Sequence, residues 1–112
     1  MDNKSVPMGV KYVGFVASPA LKAQVEREAA KLSRFGDQLE YVTLQVGRWH
    51  LHQNQGHLYR VTIDVDLGED AHPLAVVEES DVDADVSVVP GLLDQAFGTT
   101  ARQLGAVFAP PP

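Results

Sequence analysis

Between Tyr59 and Leu67 apolar and polar residues alternate without a break. Tyr59, Val61, Ile63, Val65 and Leu67 fall on one side, and Arg60, Thr62, Asp64 and Asp66 on the other. A period of two predicts a strand over Leu58 to Leu67 with one packed face and one wet face. The apolar run Tyr41 to Val46 lies upstream, within a strand expected over Leu39 to Trp49. A polar connection containing Gly56 joins the two, which predicts a hairpin with a long tip. Val10 to Val16 and Leu74 to Glu79 are two further strand signals, the second following a turn at Gly68 to Pro73.

Two stretches carry helical spacing instead. Ser18-Pro19 pairs a capping hydroxyl with a proline suited to the first helical position. From there Leu21, Val25, Ala29 and Leu32 form one apolar stripe, and the helix is expected to run to about Phe35 and stop at Gly36. Arg27, Lys31 and Arg34 fall on the opposite side as a basic ridge, with Glu28 near the edge of the stripe. The last helix is expected to begin near Pro90. Its buried stripe is Leu93, Ala96, Phe97, Thr100, Leu104, Val107 and Phe108, while Gln95, Thr99 and Arg102 face outward. Gly91, Gly98 and Gly105 weaken it, by about 1 kcal/mol each if interior.

The order β-α-β-β-β-α predicts an α+β two-layer sandwich, a four-stranded sheet with two helices on one face. The first two strands are expected to be parallel neighbours across a right-handed crossover. Residues 1–9 read as a flexible arm, 10–108 as one domain and 109–112 as a proline tail.

At 112 residues and 45% apolar content the chain can bury a single core. It contains no cysteine, which removes disulfides, thiolate metal sites and cysteine nucleophiles. No apolar run is long enough to span a membrane and no signal-peptide pattern opens the chain, so a cytoplasmic protein is expected. The net charge of −6 divides unevenly. Residues 1–63 carry eight Lys/Arg against five Asp/Glu, a balance of +3, and residues 64–112 carry one against ten, a balance of −9.

The candidate chemistry is sparse. His50, His52 and His57 flank or occupy the hairpin tip, and three imidazoles invite a zinc reading. No carboxylate in the tip would orient the rings, and Gln53, Asn54 and Gln55 suit a solvated loop, so a polar contact surface is expected rather than a metal site. Asp81-Val-Asp-Ala-Asp85 opens like a calcium loop, but Val86 and Leu92 occupy the positions that need glycine and glutamate. No nucleophile elbow, phosphate loop or dinucleotide glycine pattern occurs, so neither an enzyme nor a cofactor is expected.

Two segments carry a resemblance. The hairpin has His50, His52 and Gly56, followed by Leu58, Tyr59, Val61, Ile63 and Asp64. The last helix has Ala96-Phe97 followed by Arg102-Gln103-Leu104. Together with the element order these resemble the bacterial ribosome hibernation-promoting factors and ribosome-associated translation inhibitors, over roughly Val10 to Val107. The resemblance implies binding to the small ribosomal subunit, in the channel used by mRNA and tRNA, through contacts to 16S-type rRNA phosphates. Carried over by position, it nominates Lys22, Arg27, Lys31 and Arg34 on the first helix and Arg102 on the last, with Arg48 and Arg60 at the hairpin base. The chain departs from that pattern in three places. Only Arg102 is basic on the last helix, Val88-Val89-Pro90 replaces an acidic and aromatic entry, and the tip carries Gln53, Asn54 and Gln55. The rival expectation is a protein-interaction module on the same fold, using the open sheet face and His50 to His57, with a possible homodimer through an edge strand. No membrane or DNA partner is expected.

Overall fold

The computed structural model describes residues 6–51, 56–69 and 71–109. Strands β1 (Met8–Val13), β2 (Tyr41–His50), β3 (His57–Asp66) and β4 (Leu74–Glu79) form one sheet in the order β1-β2-β3-β4. The first pair is parallel and the other two are antiparallel. Helices α1 (Pro19–Ala29) and α2 (Val89–Val107) complete the expected β-α-β-β-β-α sandwich.

Alternation along β2 and β3 builds the floor of the core. Val42, Leu44 and Val46 stand opposite Val65, Ile63 and Val61, all essentially without solvent exposure. Leu21, Val25, Leu32 and Phe35 come down from one helical segment, and Leu93, Ala96, Phe97 and Leu104 from the other. Burial of each large side chain contributes roughly 1.5–3 kcal/mol. The opposite sheet face, with Thr43, Asp64, Asp66 and Val77, is open to solvent.

β1 begins two residues before the expected Val10 and stops at Val13. Gly14 explains the early stop: at φ +80° it leaves the strand region, and a side chain there would collide with the carbonyl oxygen of Arg48. Val6 packs against the core and the Pro7 carbonyl accepts from the Val42 amide at 2.8 Å, so residues 6–9, expected in a loose arm, belong to the fold.

Ser18 caps α1 as expected, its hydroxyl accepting from the Leu21 amide at 3.1 Å. The segment then tightens into a 3₁₀ helix over Ala30–Gln38 instead of remaining α-helical to Phe35. The buried Leu32 and Phe35 are three apart, the spacing that a three-residue turn keeps on one line. The Ser33 hydroxyl bonds back to the Ala30 carbonyl at 2.7 Å and competes with the α-helical partner. In α2 the expected stripe is buried through Leu104, with Val89 and Leu92 added. Val107 lies outside it, 49% exposed, while its neighbour Phe108 packs against the core.

Both helices start at the hairpin end of the sheet. α1 follows the end of β1, opposite Gly47, and α2 follows the end of β4, opposite Arg60. Gln24 of α1 donates to the Pro90 carbonyl at 2.9 Å near these starts. At the far end Phe35 and Phe108 are in ring contact, with centroids 6.1 Å apart.

Candidate nucleic-acid interface

The outer side of the helix layer carries the basic ridge. Lys22, Arg27, Lys31, Arg34 and Arg102 are all exposed, as the spacing predicts. Their electrostatic states differ. Arg27 has no acid within ion-pairing distance among the described residues, although Glu26 and Glu28 flank it in sequence. The Lys31 ammonium lies 2.6 Å from Glu28 Oε1 and 2.9 Å from Asp94 Oδ1. Hydrogen bonds to Glu28 first and Asp94 second hold its pKa above the usual lysine value of 10.5. Lys31 is therefore a fixed cation whose charge is largely answered within the fold. Glu28 is itself buried, and its other oxygen receives the Gln24 amide at 3.4 Å.

Arg34 lays its guanidinium over the Phe35 ring, 4.6 Å from the centroid, and reaches toward Gly105 on α2. Arg102 donates to the Thr99 hydroxyl at 3.0 Å, an i−3 contact that leaves its charge unanswered by any acid among the described residues. Lys31 and Arg102 together line an open polar cleft with Glu78, Asp94 and Thr99. Thus the ridge extends across the seam between the helices, with Asp94 set into it.

The hairpin-base arginines are committed elsewhere. Arg60 stands opposite Glu79 in the register and pairs with it at 2.5 Å, its guanidinium 5.7 Å from the Trp49 ring centroid on the open sheet face. Arg48 donates toward His57 Nδ1 at 3.3 Å. Neither extends the helix-layer ridge.

His57, expected as a hairpin-tip contact, is the first residue of β3 and its ring is held within the fold. Its Nε2 donates to the Ala84 carbonyl at 3.1 Å, which leaves Nδ1 to accept from Arg48 in the neutral tautomer. The acidic loop closes around the same residue. The Asp83 amide bonds to the His57 carbonyl at 2.7 Å, and the Asp83 carboxylate accepts from the His57 amide at 3.2 Å. Asp83 adopts φ +61° to do so, a conformation that aspartate tolerates better than most residues. Next to it Gly56, at φ +95°, is packed so closely that a side chain would strike the Asp83 carboxylate. His50 is exposed and pairs with His57 in the strand register, while His52 lies outside the described residues. Among the described residues no three His, Cys, Asp or Glu side chains gather to hold a metal ion.

The loop's remaining carboxylates are held locally or face solvent. Asp85 accepts from the Ser87 amide at 3.0 Å, and the hydrogen bonds from Ser87 lower its pKa below the usual 3.8. The sequence reading did not foresee Asp83 as the clamp on His57. Nor did it foresee Asp94 as the acid that answers Lys31.

The architecture defines the class: a β-α-β-β-β-α sandwich with an exposed basic ridge on its helix layer. No protein-family signature matches the sequence, and no curated protein matches it. Solved structures do. A ribosomal subunit interface protein from Coxiella burnetii superposes with a TM-score of 0.66 at 20% identity, covering 94% of this chain and 100% of that one. The N-terminal domain of Protein Y from Thermus thermophilus gives 0.62 at 22% identity, covering 91% of this chain and 99% of that one. At these identities the likeness establishes a shared fold along nearly the whole of each chain.

Proposed function

We propose that this chain is a ribosome-associated factor that binds the small ribosomal subunit through 16S-type rRNA phosphates and hinders translation by occupying the site. The observation that carries the reading is the ridge itself: Arg27, Arg34 and Arg102 present exposed guanidinium groups on the outer side of the helix layer. Fixed cations on a rigid element suit the backbone of structured RNA, which is recognised by shape and phosphate spacing with little reading of bases. The two structural relatives, one named for the ribosomal subunit interface, support the same direction. On this reading the factor acts by binding alone, in the cytoplasm where ribosomes are, without cofactor or chemical step. Lys22 extends the ridge, whereas Arg48 and Arg60 stabilise the hairpin.

Cosedimentation with ribosomes over a salt series tests it. Binding is expected to weaken by about 0.7 to 0.9 log units per log unit of salt for each phosphate neutralised. The combined replacement of Arg27, Lys31 and Arg34 by glutamate is expected to abolish it. Absence of binding at low salt, or binding that survives the triple change, overturns the reading.

A protein-interaction module is the second reading, favoured by the pairing of Lys31, Arg60 and Arg48 inside the fold and by the acidic second half. Its edge-strand form meets an obstacle. β1 and β4 are six residues each and carry Lys11 or Glu78 and Glu79, features that discourage strand addition.

A further inference from the structure

At the hairpin end, where both helices start, an apolar groove of about 390 Å³ opens between the β1–α1 connection and the beginning of α2. Phe15, Leu21, Val86, Val89 and Pro90 line it, and Val16 stands at its rim. Val16 is 94% exposed, the most exposed large apolar side chain among the described residues, and Val86 in the groove wall is 46% exposed. An apolar knob and an apolar hole thus lie side by side on one patch.

The charges around the patch have the same character. Arg27 lines the groove and has no acid partner among the described residues. The loop Asp81–Asp85 runs directly into Val86 and carries only acidic charge. Asp83 is engaged with His57 and Asp85 caps the turn at Ser87, which leaves Asp81 as the loop's uncommitted carboxylate among the described residues.

We infer that this patch is the contact through which a second copy of the chain docks about a two-fold axis. Val16 of each copy enters the groove of the other, and Arg27 of each faces the Asp81–Asp85 loop of the other. A surface that holds a knob, its hole and both signs of charge is complementary to itself under a two-fold rotation, and such pairing closes at two copies. The occupant is a second copy because the patch supplies both halves of the match. The patch is small, so the association is weak, with a dissociation constant on the order of 10⁻⁵ to 10⁻⁴ M, as for contacts below the standard interface size. Because Arg27 belongs to the ridge as well, a paired copy cannot present its full ridge to RNA.

Sedimentation equilibrium of the full chain between about 10 μM and 1 mM reads this directly, since that span brackets the expected constant. A monomer–dimer equilibrium is expected, weakening as salt rises. Val16→Asp is expected to raise the dissociation constant at least about tenfold; at such an exposed position it leaves the fold intact. Val77→Asp, on the open sheet face, is expected to leave the constant unchanged. Arg27→Asp should weaken pairing, and adding Asp81→Lys to the same chain should restore it. A chain that stays monomeric throughout overturns the inference. So does a dimer indifferent to Val16→Asp, or one broken by Val77→Asp.

Discussion

At Lys31 two carboxylates converge on one ammonium, and that convergence sets how much of the ridge is available as charge. Glu28 is near-buried and held by Gln24, whereas Asp94 is 68% exposed at its side chain. Asp94 is therefore the partner that can be removed with little harm. The exposed pair contributes about 0–1 kcal/mol to stability. Asp94→Ala is expected to leave the melting temperature nearly unchanged while strengthening ribosome cosedimentation. It should also steepen the salt dependence, by up to about 0.7 to 0.9 log units per log unit of salt if Lys31 then reaches one more phosphate. Unchanged affinity and slope would show that Lys31 stays with Glu28. Only half of this arrangement is legible in the sequence. The spacing of Glu28 and Lys31 places them as helical neighbours, but Asp94 is 63 positions away, and no local rule fixes how one helix is rotated against another. The clamp on His57 escapes for the same reason, since Asp83 meets it 26 positions along the chain.

Elements with one clear period could be read well, and those with mixed signals could not. β4 has the expected bounds, and β3 buries Tyr59, Val61, Ile63 and Val65 as its alternation requires. β1 is displaced because its apolar residues occupy both phases, so only the backbone at Gly14 reveals where it ends. The change from α to 3₁₀ after Ala29 is hidden because the two periods differ too little over a short run to separate. In α2 the glycines predict a testable weakness. Gly91 lies within the helix and is exposed, and a methyl group added there meets no neighbouring atom within 4 Å. Gly91→Ala is expected to stabilise the protein by up to about 1 kcal/mol, the interior value that a first-turn position approaches from below, raising a thermal midpoint by up to roughly 4–8 °C for a domain of this size. A midpoint that falls instead would mean that the first turn of α2 is not helical as described.

Across the whole molecule, the +3 and −9 halves of the sequence do not become two separate lobes. The sheet runs in chain order, and β3, which spans the division, joins basic-half β2 on one side to acidic-half β4 on the other. Around the sandwich, the exposed cations of the ridge lie along the outer helices with Asp94 among them, while Asp64 and Asp66 lie on the open sheet face beside Arg60. The parallel course of the two helices has a separate consequence. The chain enters its first strand beside Val42 and leaves its last helix beside Phe35, both at the end remote from the hairpin. A short glycine-serine bridge could therefore join the two ends, and the ring could be reopened between His50 and Gly56. Such a circular permutant should fold with the native circular-dichroism spectrum, because every strand pairing and both helices would remain uncut.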